Sequence, residues 1–172
     1  MKTSLHLPAG TYSDLMAHLL PVGGWYEEAA FLFASPHRAA NGDTEFRFIE
    51  CVMLKPDDFA ARHSDYLELR DSVRACLIKR AHDLTSSIVE MHSHVGPYRA
   101  AFSYSDIQGL KDNVPHMWWR LKGRPYASIV VARDGIDALA WVENPAIPIG
   151  LDEIHDGGNV VRPQGTTWRE WA

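Results

Sequence analysis

The sequence predicts an α/β or α+β domain, a central mixed β-sheet with helices packed against it. Three observations lead there. The hydrophobic patterning alternates between helical and strand periods in the order α-β-β-α-β-α-β-β, which is the order of a layered sheet-and-helix domain. Two pairs of β-rich runs flank turn signals, "SPHRAANGD" and "RDG". The chain of 172 residues is 46% hydrophobic and 23% charged, enough apolar material for one real core.

Each element follows from its residues. "TYSDLMAHLLP", residues 11–21, reads as a short helix that Thr11 or Ser13 can cap and Pro21 ends. After "GGW", the apolar run "YEEAAFLFA" is too short for a helix between breakers and reads as a buried strand. It pairs with "TEFRFIECVML" as a hairpin. From Ser64 to Leu84 the stripe Tyr66, Leu69, Val73, Cys76, Leu77, Ala81 and Leu84 predicts the clearest helix. "SSIVEMHSH" is a strand and "SDIQGLKD" a short helix. "PHMWWRLKGR" is a helical turn or a surface loop, and "PYASIVVARDGIDALAWVEN" is a second hairpin. Residues 1–144 form the domain. The tail 145–172, rich in Pro, Gly and Asp and carrying Trp168 and Trp171, is expected to pack on it.

Bulk properties narrow the function classes. A net charge of −5 argues against a broad basic nucleic-acid face. Two cysteines, Cys51 and Cys76, neither staple a secreted scaffold nor have zinc-knuckle spacing, and both are expected to be buried, inert thiols. "MKTSLHLPAG" lacks a hydrophobic signal core, and no apolar run approaches the ~20 residues of a membrane span. The expected setting is the cytoplasm, without nucleic acid or membrane as partner.

The chemistry concentrates in "IVEMHSHVGPYRAAFSYSD". Side chains alternate along a strand, so His92 and His94 face the same way with Cα atoms about 7 Å apart. Two imidazoles so placed can converge on one ion through bonds of about 2 Å. Glu90 shares that face but stands about 13 Å from His94 along an extended strand, a neighbour rather than a ligand. Asp106 is the better third ligand. Two histidines and a carboxylate suit one Zn²⁺ with the fourth position open to water, whose pKa falls towards about 7 there. Hydrolysis then needs a carboxylate beside the metal but not bound to it. Ser103-Tyr104-Ser105-Asp106 also fits a helix capping box, and such boxes are common. The two readings are compatible, because a helix N-terminus favours and positions a carboxylate.

These residues resemble the signature of the JAB1/MPN (JAMM) metalloprotease family, a glutamate followed downstream by His-x-His and then Ser-x-x-Asp. "EEAAFLFA" is similar to the family's first strand motif, with Glu27 leading and Ala30 at its small position. "IVEMHSH" is similar to its central strand, and "PYASIVVARDGIDALAWV" to the hairpin that follows; the likeness spans roughly residues 25 to 143. It implies an MPN (cytidine-deaminase-like) fold, with His92, His94 and Asp106 on zinc and Glu27 as general base and acid. Ser103 would hydrogen-bond the oxyanion. Glu28 rivals Glu27, and the alignment to the apolar strand favours Glu27. Val95 stands where the family usually has Pro, and eight residues separate His94 from Ser103, one more than is commonest.

The implied activity is that of a zinc metallo-isopeptidase, similar to compact prokaryotic members, cutting after the C-terminus of ubiquitin or a ubiquitin-like modifier. The modifier tail would lie extended in a groove, and activating or conjugating enzymes of the same system would be further partners. A non-catalytic MPN-type scaffold and a zinc hydrolase of small amides are the alternatives. Trp118 and Trp119, beside Arg120 and Lys122, read as packing more readily than as a peptide-binding surface.

Overall fold

The computed structural model describes the chain except for positions 98, 168–170 and 172. Its centre is a nine-stranded mixed sheet. In chain order the elements are β1 (Thr3–Leu7), α1 (Thr11–Leu19), β2 (Ala29–Arg38), β3 (Thr44–Met53), β4 (Phe59–Arg62), β5 (Leu67–Leu69) and α2 (Asp71–Asp83). There follow β6 (Ser87–Ser93), α3 (Tyr104–Arg120), β7 (Tyr126–Ala132), β8 (Gly135–Trp141), β9 (Ile149–Gly150), β10 (Glu153–Asp156) and β11 (Asn159–Val161). The sheet order is β11-β10-β1-β3-β2-β6-β7-β8-β9, and β4 pairs with β5 as a separate hairpin. Strand β1 runs parallel to both β10 and β3, and β6 runs parallel to β7; the other pairs are antiparallel. This is the mixed sheet flanked by helices that the patterning predicts.

Both faces of the sheet are covered. Alternation along β6 sends Val89 and Met91 to one core, with Leu15 and Leu19 of α1. Ile88 goes to the other core, with Leu77 of α2, Leu110 and Val114 of α3, and Phe59 of β4. His92 shares the parity of Ile88 and Glu90 and therefore belongs to the second face. Strand β6, helix α3 and strand β7 form one β-α-β unit. The carboxyl ends of β6 and β7 open under the start of α3, the usual place for a site in a parallel sheet.

Several elements differ from expectation. The helix expected from Ser64 begins only at Asp71, because residues 59–69 form the β4–β5 hairpin, closed by His63 N donating to the Tyr66 carbonyl at 2.8 Å. A stripe including Tyr66 and Leu69 satisfies a helical period, but Leu69 pairs with Phe59 and packs on the second core instead, while Tyr66 stays exposed. Cys76 is exposed on α2, and Cys51 is half-buried against the edge of the first core, so neither thiol is fully buried. Helix α3 does not stop after "SDIQGLKD" but runs 17 residues, through Pro115 to Arg120. A proline inside a helix costs about 3 kcal/mol. Leu110, Val114, Met117 and Leu121 are buried on one side, at roughly 1.5–3 kcal/mol each, which outweighs it.

At the first helix the cap is Gly10, at φ 89°, with no side-chain cap from Thr11 or Ser13. Strand β2 runs on past Ser35 to Arg38. It carries Pro36 where β6 no longer pairs with it, so the missing N–H breaks no ladder on that side. Strand β1 was not anticipated, and neither were the short strands 149–161; β10 lies in register beside β1, with His6 opposite His155. Of the two tail tryptophans, Trp171 packs edge-on against Trp141 with ring centroids 5.8 Å apart, and Trp168 lies outside the described residues.

Candidate metal centre

His92 is the second-to-last residue of β6, and His94 follows the strand's end, its N–H donating to the Val131 carbonyl on β7 at 2.8 Å. That bond continues the β6–β7 ladder one residue past the strand and keeps both imidazoles on one face. Their ring centroids are 5.1 Å apart. Asp106 reaches them from the first turn of α3. Ser103 caps this helix: its Oγ accepts from Asp106 N at 3.2 Å, while Asp106 Oδ2 accepts from Ser103 N at 2.7 Å. The capping box and the approach of Asp106 to the histidines are therefore one geometry. Asp106 Oδ2 lies 3.2 Å from His94 Nε2, and Oδ1 lies 3.5 Å from His92 Nε2.

One ligand atom from each of His92, His94 and Asp106 falls within 4.8 Å of the others. Two neutral imidazole nitrogens and a carboxylate oxygen are donors of the type that zinc takes. Nε2 of His92 is buried yet makes no hydrogen bond. A buried polar nitrogen without a partner costs stability, and an ion accepting its lone pair would remove that cost. The residues present fit a metal.

Glu27 lies in the loop two residues before β2. Its carboxylate is 9% exposed and its Oε1 lies 3.9 Å from His94 Nε2, outside the three-ligand group. Two bonds of its main chain to the β4–β5 hairpin hold it there, Glu27 N donating to the His63 carbonyl at 3.0 Å and the Arg62 side chain donating through Nε to the Glu27 carbonyl at 3.1 Å. Glu28 turns away to an ion pair with Arg62. Of the two neighbouring glutamates, Glu27 faces the cluster. Glu90 also stays outside it, accepting from the Tyr126 hydroxyl and, at 2.7 Å, from Ser128 Oγ.

The electrostatics separate the two site carboxylates. Burial pushes the Glu27 carboxyl up to about 7, reinforced by Asp106 and Asp65 and opposed by His92 and His94. Burial also disfavours the ionised form of Asp106, but the imidazoles of His92 and His94 beside it, and then Ser103, reverse this and hold it well below the usual carboxylate range. Burial lowers the affinity of His92 for a proton, and Asp106, Glu90 and Glu27 together outweigh it, so its net shift is upward. One carboxylate is thus kept ionised while another is poised to exchange a proton near neutrality, the pattern that separates ligand from acid–base roles.

The cluster separates two hollows. A cavity of about 360 Å³ extends under α3 towards Glu90 and Tyr126, between Phe31, Leu77 and Met117. A cleft of about 660 Å³ opens on the other side, between Trp25, Ser103, Val95 and Arg133. Glu27 and Asp106 line both. Trp25, 80% exposed, and Arg133, which makes no ion pair among the described residues, went unnoticed in the sequence. Arg133 had a signal: it directly follows β7, the parallel neighbour of the histidine strand, whose carboxyl end must lie beside His94. Nothing local marked Trp25. His155 is half-buried and stacked on His6 with centroids 4.5 Å apart, whereas His37, His63 and His116 are exposed.

No model of a known protein family matches the chain, and no curated protein matches it either. Among solved structures, the STIL N-terminal domain of Trichoplax adhaerens aligns with 76% of this chain and 37% of its own, at 12% identity and a TM-score of 0.29. So loose a superposition carries no argument about fold or chemistry.

Proposed function

We propose that this chain is a zinc-dependent amide hydrolase of the JAB1/MPN type, an isopeptidase or peptidase acting after the C-terminus of a ubiquitin-like modifier. The observation carrying this reading is the convergence of His92, His94 and Asp106 within 4.8 Å, with the unbound Glu27 carboxylate 3.9 Å from His94. An MPN fold is part of the same proposal. It is supported by the order β2-β6-β7 in the sheet and by the β6–α3 connection that carries the ligands.

His92, His94 and Asp106 would hold the ion, which when bound supplies Lewis-acid polarisation of the scissile carbonyl and lowers the pKa of water. Glu27, held at about 7, can take a proton from the attacking water and return it to the leaving amine at neutral pH. Ser103 Oγ spends an acceptor site on the helix cap, and its O–H stays free to donate to the carbonyl oxygen as charge develops there. The 660 Å³ cleft offers an extended tail a path past Trp25 and Arg133. A cytoplasmic setting accompanies this reading; among the described residues no helix is long and apolar enough to cross a membrane.

The test is zinc content after expression with added zinc, together with cleavage of a modifier fusion. Stoichiometric zinc and a dead Glu27→Ala variant are expected. A zinc-free protein, or full activity in Glu27→Ala, sinks the enzyme reading and leaves the scaffold. The 360 Å³ cavity, of a size for small ligands, favours hydrolysis of a small amide as the second reading. Cleavage of short peptide amides but not of the fusion would select it.

A further inference from the structure

We infer that Thr167, in the segment after β11, is a positioning residue for the metal centre. It would hold the start of α3 so that Asp106 meets the histidines. The inference rests on the proposed metal reading and concerns what keeps the ligands together.

Asp106 owes its place to the first turn of α3, so whatever fixes residues 102–103 fixes the ligand. The cap alone is internal to residues 103–106 and cannot set where the helix starts relative to β6. Phe102, just before the cap, makes the outside contacts. Its ring stands edge-on to His92 with centroids 6.0 Å apart, and its N–H donates to Thr167 Oγ1 at 3.0 Å. Both residues are buried, at 5% and 1% exposure. A buried N–H that lost this acceptor would be left unpaired, so the loop would have to move.

Thr167 is in turn tied to the sheet. Its N–H donates to Asp137 Oδ2 at 2.9 Å, and Gly165 N donates to Oδ1 of the same carboxylate at 3.0 Å. Asp137 is fully buried on β8 and, among the described residues, accepts only from backbone N–H groups, adding Ala138 N at 3.0 Å. Its place is exact in register, since Asp137 pairs with Val130 and Val130 with His92, so all three face α3 in one row across the sheet. A second tie runs beside the first, Asp134 Oδ1 accepting from Ala100 N at 2.9 Å. The β7–β8 hairpin thus grips the ligand loop directly through Asp134 and, through Thr167, by way of the C-terminal segment. Groups that orient ligands without touching the metal commonly change affinity by about 10–100-fold.

The experiment measures zinc affinity of the full chain by chelator competition, alongside thermal melting, for wild type, Thr167→Ser and Thr167→Val. Serine keeps the hydroxyl and valine keeps the shape. Thr167→Val is expected to bind zinc at least about 10-fold more weakly and Thr167→Ser within about 2-fold of wild type. Ile154→Val, in the opposite core, controls for lost stability and should leave affinity unchanged. Thr167→Val binding zinc like wild type, or Ile154→Val weakening it equally, overturns the inference. If Thr167→Val does not fold, Asp137→Asn takes its place under the same criterion. Wild type that binds no zinc overturns the metal reading itself, a different failure.

Discussion

Glu27 is the residue on which the proposed chemistry turns, and its burial has a cost that can be measured without substrate. Its carboxyl sits at about 7 in the fold against an ordinary 4.5, so the folded metal-free protein prefers it protonated. That preference stabilises fully below 4.5 and is lost as pH rises through about 7. Glu27→Gln cannot ionise, so relative to wild type it should gain roughly 2 kcal/mol between pH 5 and pH 8 in metal-free melts. An unchanged difference between the two pH values would show that the carboxylate is not held as described. In turnover the same variant should lose about 100-fold or more, as expected for removal of a general base. Ser103 caps α3, and substitution can separate that role from the one proposed for it at the oxyanion. Ser103→Ala should cost about 1 kcal/mol through the lost cap. If the hydroxyl also serves the oxyanion, turnover should drop about 100-fold while zinc content is kept. A small rate effect with the expected loss of stability would reduce Ser103 to a cap.

At the scale of elements, the site is an agreement between one strand and one helix. Strand β6 places His92 by its alternation and His94 by the extra bond to Val131, and α3 delivers Asp106 through its cap. Helix α3 persists against its own sequence: Pro115 removes an interior N–H, and packing of Val114 and Met117 carries the helix on through it. Pro115→Ala should therefore raise stability by about 1 kcal/mol, read from denaturant midpoints, with zinc affinity unchanged because the ligand turn lies far up the helix. Destabilisation would mean that the ring itself fills needed space at this position.

For the whole molecule, an ion held between β6 and α3 would tie the sheet to the helix layer, and one that binds only the folded chain must stabilise it. Zinc at 1,000 times its Kd adds about 4 kcal/mol. A chain of 172 residues should then lose roughly 10 °C of Tm on chelation. The affinity should depend on pH with a definite sign. His92 holds its proton more tightly than a free imidazole, so protons compete for the site already above pH 6.5, and zinc affinity should fall as pH drops from 8 to 6. Constant affinity over that range would remove His92 from the ligand set.

The alternation of "IVEMHSH", the cap in "SYSD" and the two hairpins are local patterns, and each was legible because strand parity and helix capping depend on near neighbours. The split of residues 64–84 into a hairpin and a helix was not legible, since Phe59 pairing with Leu69 competes with a helical period that the same residues satisfy. The length of α3 was hidden by a proline whose penalty only packing offsets. Strand β1 is short and leans on β3 and β10, partners 40 and nearly 150 residues away, so no local pattern announces it. The sequence by itself determined the candidate donors and the face each would take. Only the tertiary structure decided that Glu27 rather than Glu28 meets them, and that the C-terminal segment reaches Phe102. Those outcomes depend on which distant backbone groups pair across the sheet, and a pairing over such separations leaves no periodic trace in the chain.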